Sequence, residues 1–158
     1  MKHYGIQMPI KKIKKEDIIE EARTWLGTPY RHQGRVKGVG CDCGGIVIGV
    51  AKELGIEIKD YEGYGKMPHG GTMKKLLDSQ FQSVPIEEVQ IGDILLMKIV
   101  RDPQHLALVT DYGMLHCYTQ LGRGKQKKAT NAGRVVEHRL DEFWKKRILK
   151  IYRFPGVK

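Results

Sequence analysis

Gly27-Thr28-Pro29-Tyr30 and, after a glycine-rich interval, Gly40-Cys41-Asp42-Cys43-Gly44-Gly45-Ile46-Val47 organise this 158-residue chain. The first segment stops one predicted helix, because Gly27 and Pro29 both interrupt helical backbone. The second leads into another helix, with an apolar stripe at Ile46, Val47, Val50 and Leu54 and an end at Gly55. Cys43 lies three and four residues before Ile46 and Val47, so it continues that inward face. Cys41 precedes the helix and is out of phase with it. Helical phase therefore selects Cys43 as the candidate nucleophile. A helix N-terminus stabilises a thiolate, and a nearby imidazole can take the proton.

The chain divides into a basic N-terminal arm over 1–15 and a single domain over 16–158. The arm carries Lys2, Lys11, Lys12, Lys14 and Lys15. From Glu16, the residues Ile18, Ile19, Ala22, Trp25 and Leu26 share one helical face. Early acidic residues, Glu16, Asp17, Glu20 and Glu21, suit the positive end of the helix dipole. Gly63, Gly65, Pro68, Gly70 and Gly71 mark a long loop. Thr72 is placed to cap a short helix carrying Met73, Leu76, Leu77 and Phe81. Strands follow at Ile94–Val100, His105–Thr110, Met114–Tyr118, Arg134–His138 and Ile148–Phe154, with a helical turn expected at Leu140–Lys145. Residues 122–133 read as an exposed basic loop. Helices first and antiparallel strands last describe an α+β fold.

His105 and His116 are the candidate bases, on two strands joined through Asp111-Tyr112-Gly113. A four-residue loop from Thr110 to Gly113 pairs Ala107 with His116. His105 is then the diagonal neighbour of His116, at about 7–8 Å between backbones. A two-residue turn at Tyr112-Gly113 instead pairs Val109 with His116 and separates the imidazoles. Both registers suit the sequence.

In order along the chain stand Ala22-Arg23, Gly27-Thr28-Pro29-Tyr30, Asp42-Cys43-x-Gly45, Gly92-Asp93-Ile94-Leu95, His105-Leu106-Ala107-Leu108-Val109 and Leu115-His116. Together they resemble the NlpC-type cell-wall cysteine peptidases over roughly residues 16–155. The run from Gly27 through His32-Gln33 to Lys37-Gly38-Val39-Gly40-Cys41-Asp42-Cys43 is similar to the phage-tail and gene-transfer-agent branch. The resemblance implies a papain-like core with N-terminal helices packed on an antiparallel five- or six-stranded sheet. It makes Cys43 the nucleophile, His105 the general base and His116 the residue that orients it. Tyr30 and the Cys43 backbone N–H would serve the oxyanion, and Asp42 would hold the free amine of a stem peptide. His32 would line the site. The implied reaction is amide hydrolysis through an acyl-enzyme, typically at a γ-D-glutamyl–diamino-acid bond of peptidoglycan. The implied partners are that stem peptide and phage-tail proteins. Gly44 departs from the family, which carries serine after the nucleophile. Two rival readings share the resemblance: a non-hydrolytic wall-binding or tail-structural protein, and an amidase or acyltransferase using the same dyad.

Composition bounds these readings. Lys and Arg total 28 against 18 Asp and Glu, a formal charge of +10 that favours an anionic partner such as wall polymer. The aromatic residues, 8% of the chain, are not interleaved with the basic runs, so a nucleic-acid stacking surface is not expected. No apolar run approaches the ~20 residues of a membrane span, and the N-terminus lacks the pattern of a signal peptide. The expectation is synthesis in the cytoplasm, association with a virion tail and action at the cell wall. Three cysteines, two of them separated by one residue, fit free thiols better than a disulfide framework. Zinc sites favour C-x₂₋₄-C over the C-x-C seen here, so no metal and no cofactor is expected. Cys41 reads as a loop residue and Cys117 as filler, while His3, His69 and His138 read as surface residues.

Overall fold

The computed structural model describes residues 12–60, 72–99, 103–118 and 133–158. Most of the basic arm, the glycine-rich loop after residue 60, His3, His69 and the basic loop before Gly133 lie outside these residues. Three helices come first or early: α1 (Lys15–Arg23), α2 (Cys43–Glu53) and α3 (Thr72–Gln80). A small hairpin of β1 (Arg35–Val36) and β2 (Gly40–Cys41) precedes α2. The remaining strands are β3 (Gln82–Val84), β4 (Ile94–Lys98), β5 (Pro103–Val109), β6 (Met114–Tyr118), β7 (Arg134–His138) and β8 (Ile148–Arg153). They form one antiparallel six-stranded sheet in the order β3-β8-β4-β5-β6-β7. One helical turn, α4 (Glu142–Lys145), joins β7 to β8. The α+β reading holds, with six strands in the sheet.

Helix α2 is the centre of the packing. Ile46, Val47, Val50 and Ala51 are buried against Leu106, Leu108, Leu115 and Cys117 on one sheet face. Gly49 admits the Trp25 ring, since a Cβ there would lie 2.2 Å from it. Helix α1 is tied across to β7, where Arg23 holds Glu137 at 2.8 and 3.1 Å and also pairs with Asp111. A second, smaller core fills the opposite sheet face, with Leu95, Met97, Ala107, Met114 and Ile151 packed under Trp144 and Leu140. Strand β4 is buried on both faces, which explains its unbroken apolar run Ile94-Leu95-Leu96-Met97. Its entry is fixed by Asp93, whose buried carboxylate accepts from Arg153 at 2.8 and 2.9 Å and from the Gln90 N–H at 2.9 Å.

The β5–β6 register is the one set by a four-residue loop. Leu108 pairs with Leu115 and Val109 with Met114. Thr110 fixes it: its hydroxyl accepts from the N–H groups of Tyr112 and Gly113, and its own N–H reaches the Gly113 carbonyl at 3.0 Å. Two features left no period in the sequence. Strands β1 and β2 are two residues each, and β3 is three residues long in a stretch where the sequence suggested no strand.

Candidate active site

Cys43 is the first residue of α2, and Asp42 is its N-cap. The Asp42 carboxylate accepts from the Gly45 N–H at 2.7 Å, from the Gln33 N–H at 2.9 Å and from Arg35 Nη1 at 3.0 Å. Arg35 in turn grips Asp60, with Nε and Nη2 at 3.0 and 3.1 Å from its carboxylate. This clamp draws the 33–35 turn onto the start of α2, so closely that a Cβ on Gly45 would lie 2.1 Å from the Gly34 carbonyl oxygen. Glycine at position 45 is therefore a packing requirement of the site. Asp42 is the centre of a structural network, a role the sequence reading did not give it. His32 sits half-buried on the turn immediately before Gln33.

Tyr30 reaches the site from a different direction. Residues 27–30 run beside the start of β7: the Gly27 N–H donates to Val135, the Val135 N–H to Thr28, and the Tyr30 N–H to Gly133. The half-buried phenol is held protonated, its pKa pushed up to about 12 by burial and by the neighbouring Asp42 and Cys43. It is thus a hydrogen-bond donor facing the same region as the thiol.

The backbone N–H groups of Leu106 and Gly44 lie toward the thiol and act on its charge. The first places its sulfur one residue from His105. Both N–H groups favour the thiolate, as does Arg35. Burial and the Asp42 carboxylate outweigh them and push the Cys43 pKa up to about 12. The helix start acts in the direction the sequence suggests, through the Gly44 N–H, while burial and the Asp42 carboxylate act against it.

His105 and His116 come together as the four-residue loop requires. Their Nε2 and Nδ1 atoms are 2.5 Å apart, and both residues are buried. The rings do not share a face with α2. Leu106, Leu108, Leu115 and Cys117 point to the helix, so the alternating His105 and His116 lie on the Trp144 side, and the thiol approaches at the β5 backbone. Burial holds both imidazoles neutral, with pKa values lowered to about 3 for His105 and about 2 for His116.

The chain of imidazoles continues. His116 Nε2 is 2.7 Å from His138 Nε2, and His138 Nδ1 is 2.8 Å from the Arg139 carbonyl oxygen. His138, read as a surface residue from sequence, is half-buried and hydrogen-bonded to a site histidine. Trp144 covers the row, its ring centroid 5.1 Å from that of His116 and 5.4 Å from that of His138. Cys41 also departs from its reading as a loop residue. It is fully buried in β2, and its carbonyl accepts from the equally buried Cys117 thiol at 3.1 Å. Among the described residues, no group of three or more His, Cys, Asp or Glu side chains forms a metal cluster. No helix there is long and apolar enough to cross a membrane.

Solved structures share this architecture. An NlpC/P60 family protein from Bacillus cereus is 21% identical with a TM-score of 0.62, over 92% of this chain and 41% of that one. An NLP/P60 family protein similar to a lipoprotein, from Staphylococcus aureus, is 17% identical with a TM-score of 0.57, over 89% and 41%. The chain thus spans about two fifths of the length of both. The NlpC/P60 domain of the peptidoglycan hydrolase SagA is 20% identical with a TM-score of 0.50, over 79% of this chain and 90% of that domain. No curated protein matches the chain. The NlpC/P60 family as such matches residues 27–153, a span that holds Tyr30, Asp42, Cys43, His105, His116 and His138. With that span matched and that sheet in place, the chain belongs to the NlpC/P60 family.

Proposed function

We propose that this protein is a cysteine endopeptidase that hydrolyses an amide bond in peptidoglycan stem peptides through an acyl-enzyme. The observation that supports the reading is the buried His105–His116 contact of 2.5 Å on β5 and β6, together with a Cys43 thiol at the start of α2 whose surroundings include the β5 backbone at Leu106. His105 takes the Cys43 proton as the sulfur attacks the amide carbon. Burial favours the neutral forms of both thiol and imidazole, so in this reading proton transfer accompanies attack. Leu106 and Gly44 N–H groups lower the cost of the charge on sulfur. Tyr30, protonated at neutral pH, donates to the oxyanion together with the Cys43 backbone N–H. His105 then returns the proton to the leaving amine, and water hydrolyses the thioester.

The family resemblance supports a γ-D-glutamyl–diamino-acid bond as the target, with phage-tail association, synthesis in the cytoplasm and action at the wall. The net charge of +10 suits an anionic wall. Asp42 holds a substrate amine by sharing its carboxylate with Arg35, and His32 flanks that end of the cleft. The test is incubation of the protein with defined peptidoglycan fragments, read by mass spectrometry. Cys43→Ala and His105→Ala are expected to lower turnover by about 10²–10⁴-fold or more while leaving the fold intact. Wild-type turnover in Cys43→Ala would sink the proposal, and intact fragments retained by wild-type protein would favour a wall-binding role.

A further inference from the structure

We infer that His138 is a positioning residue, and that the Arg139 carbonyl sets, through His138 and His116, which ring nitrogen of His105 serves as base. The inference rests on the reading of His105 as the base. Its argument is a chain of donors and acceptors. A carbonyl oxygen only accepts, so His138 Nδ1, 2.8 Å from Arg139 O, carries a proton. With one N–H on a His138 taken as neutral, its Nε2 accepts. His116 Nε2, 2.7 Å away, must then donate, which leaves His116 Nδ1 as an acceptor. His105 Nε2, 2.5 Å from it, must donate in turn. The lone pair of His105 therefore sits on Nδ1. One backbone carbonyl decides the tautomer of a ring three residues away in the network.

The same geometry carries a proton outward. The thiol S–H breaks and its proton binds His105 Nδ1, while the sulfur electron pair attacks the carbonyl carbon. The His105 Nε2 proton passes to His116 Nδ1, and the His116 Nε2 proton passes to His138 Nε2. Both inner rings end neutral with the opposite tautomer, and the positive charge rests on half-buried His138. His105 now carries Nδ1–H, and it gives this proton to the leaving amine as the shifts reverse and the Nε2 proton returns to it. Reversal of the three shifts restores the resting state. Burial disfavours a charge on His105 or His116, which gives the outward shift its direction. Trp144 packs against all three rings, at 6.3, 5.1 and 5.4 Å between centroids, and limits competing water partners. Gly113 fixes the His138 backbone, since a Cβ there would lie 2.2 Å from the His138 carbonyl oxygen.

The experiment is nitrogen-15 NMR of the histidine rings in the whole chain, paired with turnover of peptidoglycan fragments. Wild-type protein should show His105 and His116 protonated at Nε2 and His138 at Nδ1. An Nδ1–H tautomer of His105 in the resting wild type would overturn the inference without any variant. His138→Gln keeps an acceptor for His116, His138→Ala removes it, and His138→Lys replaces it with a donor. The expected order of kcat is Gln, then Ala, then Lys. The loss should run from about tenfold toward the about 10⁴-fold that a wrong tautomer costs, with little change in KM. His105 should shift toward Nδ1–H in the same order. Equal losses in all three variants, or an unmoved His105 tautomer, would refute it. The tautomer reading stands apart from hydrolysis: a Cys43-dependent hydrolase with an unmoved His105 loses only the relay, and an inactive protein with the shift loses only the proposed reaction.

Discussion

The two faces of the β5–β6 hairpin use the same backbone for opposite ends. Toward α2 it presents Leu106, Leu108, Leu115 and Cys117, and toward Trp144 it presents His105, Ala107, Met114 and His116. Both faces are dry, since Leu108 and His116 are each fully buried. On the first face, removal of apolar surface from water supplies stability. On the second, the imidazoles satisfy one another, and dryness acts on their charge instead. The difference is that burial supplies packing on one face and, on the other, biases both imidazoles toward their neutral forms.

The comparison breaks most severely on the apolar side. Leu108→Ala is expected to cost about 2–5 kcal/mol in urea unfolding, because the surrounding side chains cannot close the cavity. A loss below 1 kcal/mol would mean that this face is not the tightly packed one. The histidine side is probed by acid. Folded-state pKa values of about 3 and 2 lie below the ordinary 6.5, so the unfolded chain binds these protons first. Stability is therefore full above pH 6.5 and falls as pH drops below it, by at most about 1.4 kcal/mol per pH unit for each buried histidine. Asp78 and Glu137, held low by their basic partners, act further down in pH. Thermal melts from pH 7.5 to 4.5 should show this slope, and His105→Asn combined with His116→Asn should flatten it. An unchanged slope in the double variant would show that the rings are solvated. The smallest effect belongs to the turn that holds the faces in phase. Thr110→Ala removes the acceptor for two N–H groups and is expected to cost about 1 kcal/mol, with a larger proportional drop in turnover as the His105–His116 contact loosens.

Period and phase made much of this molecule legible. Alternation located β5 and β6 nearly to the residue, and helical phase put Cys43 on the correct helix end. The register remained open because it depends on where the Thr110 hydroxyl points, which no hydrophobic pattern encodes. His138 was hidden for a similar reason. It ends β7, and its partner lies on β6, so only the pairing of Met114 with His138 brings it near the site. Arg35 was hidden because its pairing with two carboxylates, Asp42 and Asp60, follows no helix or strand period and depends on how the intervening turn folds back. Asp42 was legible as a site residue by resemblance, while its capping and clamping of the 33–35 turn needed coordinates.

Spatial order in the sheet departs from the order of synthesis. Strand β8 comes last among the strands, yet it lies between β3 and β4 and completes the wall on which the histidines stand. A chain emerging from the ribosome therefore displays Cys43 long before the sheet that carries His105 and His116 can close. The proposed pairing of thiol and imidazole therefore waits on the last strand to be made, and a chain cut short before β8 should fail to assemble it.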